Sequence, residues 1–307
     1  MRKKLMVFGL FVCFILGANA GDARSFGGSI SLGGGIRNIE SNISPANNKR
    51  MISNYNQTSS ATESSMIIGL DLYYMLENDN KVFLKNYNGR DISGLSAGYS
   101  LNYGVSSFEF AFISTFGEEA YSNPYLLNVN REEVDRYKFG ANIGYTFNLN
   151  ELSNIYANYT FVKDYYDKEE LENSLKREGY INEFEIGYGY GGYSIGLFYD
   201  FKNAKGESES YDSYGIKLKA TQKLVENTYL KLGLEYSLRD YQGKNIIFNS
   251  TRKTNITKLN ATLSRDNIFN VKNLYIFASY IYQYNNDDIS FFDEVYNVGL
   301  AGFGYKF

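Results

Sequence analysis

The feature that most constrains this chain is an alternation of apolar and polar side chains that persists for ten or more positions, in segment after segment. From Tyr137, the positions Tyr137, Phe139, Ala141, Ile143, Tyr145 and Phe147 interleave with Lys138, Gly140, Asn142, Gly144, Thr146 and Asn148. From Leu230, the positions Leu230, Leu232, Leu234, Tyr236 and Leu238 interleave with Lys231, Gly233, Glu235, Ser237 and Arg239. Period two places successive side chains on opposite faces of a strand, so each segment has one greasy face and one wet face. Strands of soluble sandwiches usually run about 5 or 6 residues, whereas a strand crossing a membrane at a tilt needs about 9 to 11. These segments have the membrane length.

Composition narrows the choice. There are 30 Tyr and 22 Phe, 29 Gly and only two Pro. Tyr is costly in a soluble core, where its hydroxyl needs a partner, but suits the headgroup level of a membrane, with ring in lipid and hydroxyl in water. After residue 20 no stretch is apolar and long enough to be a membrane helix, so a membrane-spanning chain of this kind must be a closed barrel.

The first residues read as an export signal. Arg2, Lys3 and Lys4 precede an apolar run from Leu5 to Leu16 and the small-residue site Ala18-Asn19-Ala20, which predicts cleavage after Ala20. The domain organisation expected is a signal over 1–20 and one barrel domain over 21–307. The single cysteine, Cys13, falls inside the signal, so the mature chain has no disulfide; its net charge is 28 − 34 = −6. Without Cys or His it also lacks the usual ligands for zinc or copper.

Connections alternate between tight and long. Tight turns are expected at 104–106, 148–153, 190–192, 224–227 and 266–273, and longer loops at 117–133, 167–179, 205–210, 241–251 and 287–293. Short turns facing the periplasm and long loops facing outward fit a bacterial barrel and put both chain ends on the periplasmic side. Strands are expected near 25–38, 65–76, 92–103, 107–117, 134–148, 154–166, 179–190, 193–204, 211–223, 228–241, 252–265, 274–286 and 294–307. Parity requires one more, and Lys81 to Tyr87 supplies it. The fold expected is an all-β, closed antiparallel barrel of fourteen strands, with twelve as the alternative. Lys168 to Arg177 reads as a short helix, with acids early and bases late.

The chain ends Gly302-Phe303-Gly304-Tyr305-Lys306-Phe307. Phe303, Tyr305 and Phe307 share one face, and this ending resembles the C-terminal signature of Gram-negative outer-membrane β-barrels, the porin-like superfamily. The resemblance implies residence in the outer membrane among its lipid and lipopolysaccharide, recognition of the last strand by the barrel assembly machinery, and a pore-forming or structural role. It matches no characterised member residue by residue. Enzymes that share this fold use a histidine, which is absent here, so no catalytic activity is expected. No cofactor or nucleic-acid partner is expected either, and a monomer is. The run Gly187 to Gly192 has the spacing of a dinucleotide-binding glycine pattern but precedes a strand, and reads as a turn.

Function should then reside on the wet face. Alternation places Arg37, Asp71, Glu109, Lys138, Glu183, Glu185, Asp200, Lys217, Lys219, Lys231, Glu235, Arg239 and Lys258 toward the lumen. Acids gather at 179–190 and 193–204, and bases at 211–223 and 228–241. Two readings stay open: a transverse field across a pore for small polar solutes or ions, or cross-strand pairs that fill a non-conducting barrel displaying its loops. Inward Gly140, Gly144, Gly187, Gly189, Gly196 and Gly233 point to a roomy lumen. Acids in the loops, as in Asp164 to Glu170, read as solvated, with divalent-cation bridging to lipopolysaccharide as the sharper alternative.

Overall fold

The computed structural model describes residues 26–47, 49–56, 58–115 and 117–307. The segment read as an export signal lies outside the described residues. Fifteen strands follow one another: β1 (Phe26–Glu40), β2 (Ser60–Met75), β3 (Lys81–Asn88), β4 (Ser93–Tyr103), β5 (Ser106–Ser114), β6 (Glu118–Tyr121), β7 (Glu133–Asn148), β8 (Ser153–Tyr166), β9 (Gly179–Tyr190), β10 (Tyr193–Ala204), β11 (Tyr211–Val225), β12 (Thr228–Asn245), β13 (Ser250–Asp266), β14 (Leu274–Asp287) and β15 (Glu294–Lys306). Consecutive strands pair antiparallel except β5 and β6, which both pair with β7, and β1 pairs with β15. The sheet therefore closes.

The wall has fourteen strands, because β6 is not a separate stave. It carries on along β7 where β5 leaves off, Glu118 facing Arg136 and Tyr121 facing Glu133. The strand expected over 107–117 thus ends at Ser114 and resumes at Glu118. β12 and β13 run longer than expected, as a hairpin that reaches Asn245 and Ser250.

Alternation dictates the two faces. Phe112 (80% exposed), Leu197 (60%) and Ile186 (58%) stand outward at mid-height, while Lys138, Glu183, Asp200 and Lys202 are buried inside. A water-soluble protein has the opposite arrangement, so the outer surface belongs in hydrocarbon. Exposed Tyr137, Tyr165 and Tyr180 ring the end with long loops; Tyr188, Tyr190, Tyr193 and Tyr305 ring the end with short turns. At the turn end, Gly104, Gly191 and Asn227 adopt positive φ, which suits two-residue hairpins.

The inward glycines do not clear a channel. An added Cβ at Gly187 would lie 2.3 Å from the Tyr156 ring, and one at Gly196 would lie 2.8 Å from the Tyr156 hydroxyl. Tyr156 lies across both and donates to Glu185 Oε1 at 3.1 Å. At the level of Gly187 and Gly196, where the sequence points to a roomy lumen, the space is filled by an aromatic ring.

The helix expected over Lys168 to Arg177 does not form; the segment holds only a 3₁₀ turn, Asn173–Leu175. Glu169 explains why. Its carboxylate accepts from the backbone N–H groups of Arg177 and Glu178 at 3.0 and 3.1 Å and from Arg177 Nε at 2.9 Å, tying the loop into a ring. Leu175 then turns into an apolar cluster over the barrel mouth. Lys168 bridges two loops, reaching Glu132 and Glu170 at 2.7 Å each, whereas Asp164, expected among the solvated loop acids, lies on β8 and is buried against Arg136 and Lys202.

Candidate functional site in the barrel lumen

Short strands position the site. β3 has eight residues, so its connection to β4, Gly89 to Ile92, is reached well below the rim and turns inward. β2 pairs with β1 from Ser60 to Tyr74, but among the described residues it pairs with β3 only over Asp71–Met75. Where the strands part, the Asn86 carboxamide takes over, accepting from the Leu70 N–H at 2.5 Å and donating to the Ile68 carbonyl at 3.4 Å. Past this point the hairpin tip enters the lumen.

The tip is a polar latch. Arg90 Nε and Nη2 donate to the two oxygens of Asp200 at 2.7 and 2.6 Å, and Nη1 donates to Glu185 Oε2 at 2.8 Å. The guanidinium lies over the Phe198 ring, 4.4 Å from its centroid. Glu183 Oε1 accepts from the backbone N–H groups of Arg90 and Asp91 at 3.0 and 2.8 Å. Lys258 and Lys138 donate to the carbonyls of Arg90 and Asp91 at 2.5 and 2.8 Å. The Asp91 carboxylate accepts from Tyr211 and Arg239. Ile92 anchors the far corner, packed with Ile113, Val162 and Ile181. Strands β7, β9, β10, β11, β12 and β13 thus all grip one short turn.

Buried charge is costly unless paired and hydrogen-bonded. Arg90, Glu185 and Asp200 have side chains only 6%, 7% and 1% exposed, and each meets that condition through the others. The acid row read from the sequence, Glu183, Glu185 and Asp200, is therefore brought together, and its chief counter-charge is Arg90. Alternation could not find Arg90, which sits in a turn; its one signal was the shortness of the Lys81 to Tyr87 strand.

The basic row is dispersed by comparison. Lys217 pairs with Glu185 at 3.0 Å and approaches Glu235 at 4.0 Å, which Lys258 also approaches at 3.7 Å. Lys219 has no ion pair among the described residues. Lys231 is exposed near the turn end and has none either. Arg239 pairs with Asp91 rather than with the acid row. Elsewhere in the lumen, Arg37 meets Glu63 at 2.7 Å and Lys85 meets Glu109 at 2.8 Å.

Above the latch lies a polar chamber of about 320 Å³. Asp91 forms part of its floor, and Arg136, Arg239 and Arg252 part of its walls. Each guanidinium is held against a ring: Arg136 on Tyr166 at 5.0 Å, Arg239 on Tyr211 at 4.0 Å, Arg252 on Tyr241 at 4.0 Å and on Phe292 at 3.5 Å. The roof is apolar. Ile52, Tyr125, Leu175, Phe291 and Phe292 from four loops form a buried cluster, which Phe248 packs against. Burial pushes the Tyr125 phenol up, so its hydroxyl stays protonated and reaches Glu209 at 3.4 Å. Arg131, 1% exposed, ties two of these loops together through the carbonyls of Lys49, Arg50 and Pro124.

The terminal residues close the seam. Phe303, Tyr305 and Phe307 all face outward; Tyr305 lies between Ile30 and Leu274, and Phe303 between Leu32 and Ile276. Phe307 exchanges backbone hydrogen bonds with Gly28, 3.0 Å each way, and stacks on Phe26 at 5.4 Å. Gly28 has φ +144°, and a Cβ there would lie 2.1 Å from the Asp71 carbonyl oxygen, so only glycine fits.

Residues 25–306 match the profile of a family described as "Protein of unknown function (DUF2860)". No curated protein matches the chain. Among solved structures, the chain is similar to Acinetobacter baumannii OccAB3 (TM-score 0.43, 9% identity, 92% of this chain and 99% of that one). It is also similar to a Pseudomonas aeruginosa FadL homologue (TM-score 0.48, 11% identity, 92% and 90%) and to the CymD monoaromatic hydrocarbon channel (TM-score 0.44, 10% identity, 91% and 88%). Overlaps at this level carry no residue-to-residue correspondence.

Proposed function

The chain belongs to the family described as protein of unknown function (DUF2860), and we propose that its barrel is an outer-membrane channel for passive diffusion of small polar solutes, shut here by the Arg90 latch. One observation carries this reading. The lumen is crossed at mid-height by a four-residue turn held by side-chain hydrogen bonds and ion pairs, with a charged chamber directly above it. Polar contacts of this kind can be exchanged for water or solute, which a packed apolar core cannot do. In this reading the loop end faces outward, the chain assembles as a monomer through its terminal strand, and the signal over 1–20 is removed on export.

A second reading, a non-conducting barrel that displays its loops, draws support from Tyr156 filling the space over Gly187 and Gly196. Single-channel recording in a planar bilayer separates the two. Conductance that appears or grows when Arg90 is replaced by Gln supports the channel. A silent Arg90→Gln protein that still shifts its gel migration on boiling supports the structural barrel.

A further inference from the structure

Asp91 is held as a bound carboxylate would be. Its Oδ2 accepts from the Tyr211 hydroxyl at 2.5 Å and from Arg239 Nη2 at 2.6 Å. Those two partners already form a unit, because the Arg239 guanidinium lies over the Tyr211 ring and their strands, β11 and β12, are neighbours. The cradle is thus built by one stretch of wall, while the anion in it comes from a turn carried by two distant strands.

The surroundings favour an anion too. Arg136 and Lys202 line the chamber, and their shared counter-ion Asp164 is fully buried behind them. Arg252 lines it as well, with Asp287 buried behind and Glu209, also in the lining, 3.7 Å away. The lining as a whole holds the cations Arg136, Lys138, Arg177, Lys202, Arg239 and Arg252 against the carboxylates Asp91, Glu119, Glu209 and Glu294, so cations outnumber anions six to four, and six to three once Asp91 leaves.

We propose that Tyr211 and Arg239 form a subsite for the carboxylate of a small solute, and that Asp91 fills this subsite while the channel is shut. A solute carboxylate entering the chamber displaces Asp91, and the latch loses its contacts to β11 and β12. This rests on the channel reading and names its solute class. A ligand shifts such an equilibrium only by its preference for one state, and its apparent affinity is the weaker the smaller the fraction of protein already released. Asp91 is therefore a built-in competitor.

The test uses the mature barrel in lipid nanodiscs, with acetate as the anionic probe and methylammonium as its cationic counterpart. Asp91→Asn keeps the backbone contacts to Glu183 and Lys138 but removes the competing charge. Acetate should bind it about tenfold or more tightly than the native protein, the scale of one charge-assisted hydrogen bond, while methylammonium gains nothing. Adding Tyr211→Phe or Arg239→Gln should cancel the gain; the Tyr211→Phe arm keeps the test open should the charge change impair folding. Acetate binding Asp91→Asn no more tightly than the native protein, or a gain indifferent to Tyr211, overturns the proposal. The same samples are recorded in bilayers. Tight acetate binding without conductance leaves the subsite standing and removes the channel, whereas conductance without acetate binding removes the subsite alone.

Discussion

Arg90 grips Asp200 with two parallel hydrogen bonds, Nε to Oδ2 and Nη2 to Oδ1, across 110 positions of sequence and the width of the lumen. Only a guanidinium matches both carboxylate oxygens in this way.

Replacing Arg90 with Gln should therefore act on two observables at once. Removing one partner of a buried pair costs about 3–5 kcal/mol, and Glu185 would retain Lys217 while Asp200 would lose both bonds. The melting temperature should fall and single-channel conductance should rise. Arg90→Lys, which keeps charge without the fork, should fall between. Unchanged conductance in a protein that has lost stability would mean that the turn does not block the lumen.

The lysines of the wet face should separate by position. In a latch-released background, Lys217→Gln leaves Glu185 short of a direct partner and should shift the reversal potential toward cations. Lys231→Gln should shift it little, because that side chain is exposed near the turn end and unpaired among the described residues. Charges about 4 Å apart interact by ~1 kcal/mol in bulk-like water and several-fold more in a narrow throat. Equal shifts from both lysines would place the selectivity elsewhere.

Deleting Phe307 removes both of its backbone hydrogen bonds to Gly28 and the stack on Phe26. The amount of heat-modifiable barrel in the outer membrane should drop while export continues. Phe307→Ala, which keeps the backbone pair, should be milder. Normal surface levels of the truncated protein would show that the seam closes without it.

Phe291 sits at the centre of the roof, with ring contacts to Tyr55, Tyr125, Phe248 and Phe292. Phe291→Ala should loosen the loops by roughly 3–5 kcal/mol. Because the loops and not the wall carry this cluster, protease cleavage in the loops should speed up while barrel melting changes far less. A matching fall in barrel melting would mean that roof and wall unfold together.

The wall was legible because lipid outside and water inside force alternation over every crossing, so segments such as Tyr137 to Asn148 declare both length and facing. The count of fourteen followed from parity. Turns and loops carry no such period. Arg90 and Asp91 are an ordinary pair in a hairpin connection until the short β3 drops them among Glu183, Glu185 and Asp200. Charge order along Lys168 to Arg177 favours a helix locally, yet the Glu169 carboxylate closes the loop in a way that only the assembled barrel makes worthwhile.

The inward turn of the β3–β4 hairpin also leaves part of the β2 edge uncovered. From Ser60 to Leu70, no strand among the described residues covers the β2 edge that faces away from β1, apart from the Asn86 bridge at Leu70 and Ile68. Backbone groups facing hydrocarbon without partners cost several kcal/mol each, whereas thinning a membrane costs only fractions of a kcal/mol per ångström. The cheaper adjustment is for headgroups and water to descend beside β2 to the level of Asn86, so the expected outcome is a one-sided dimple there, with lipid at full thickness along β9 to β12.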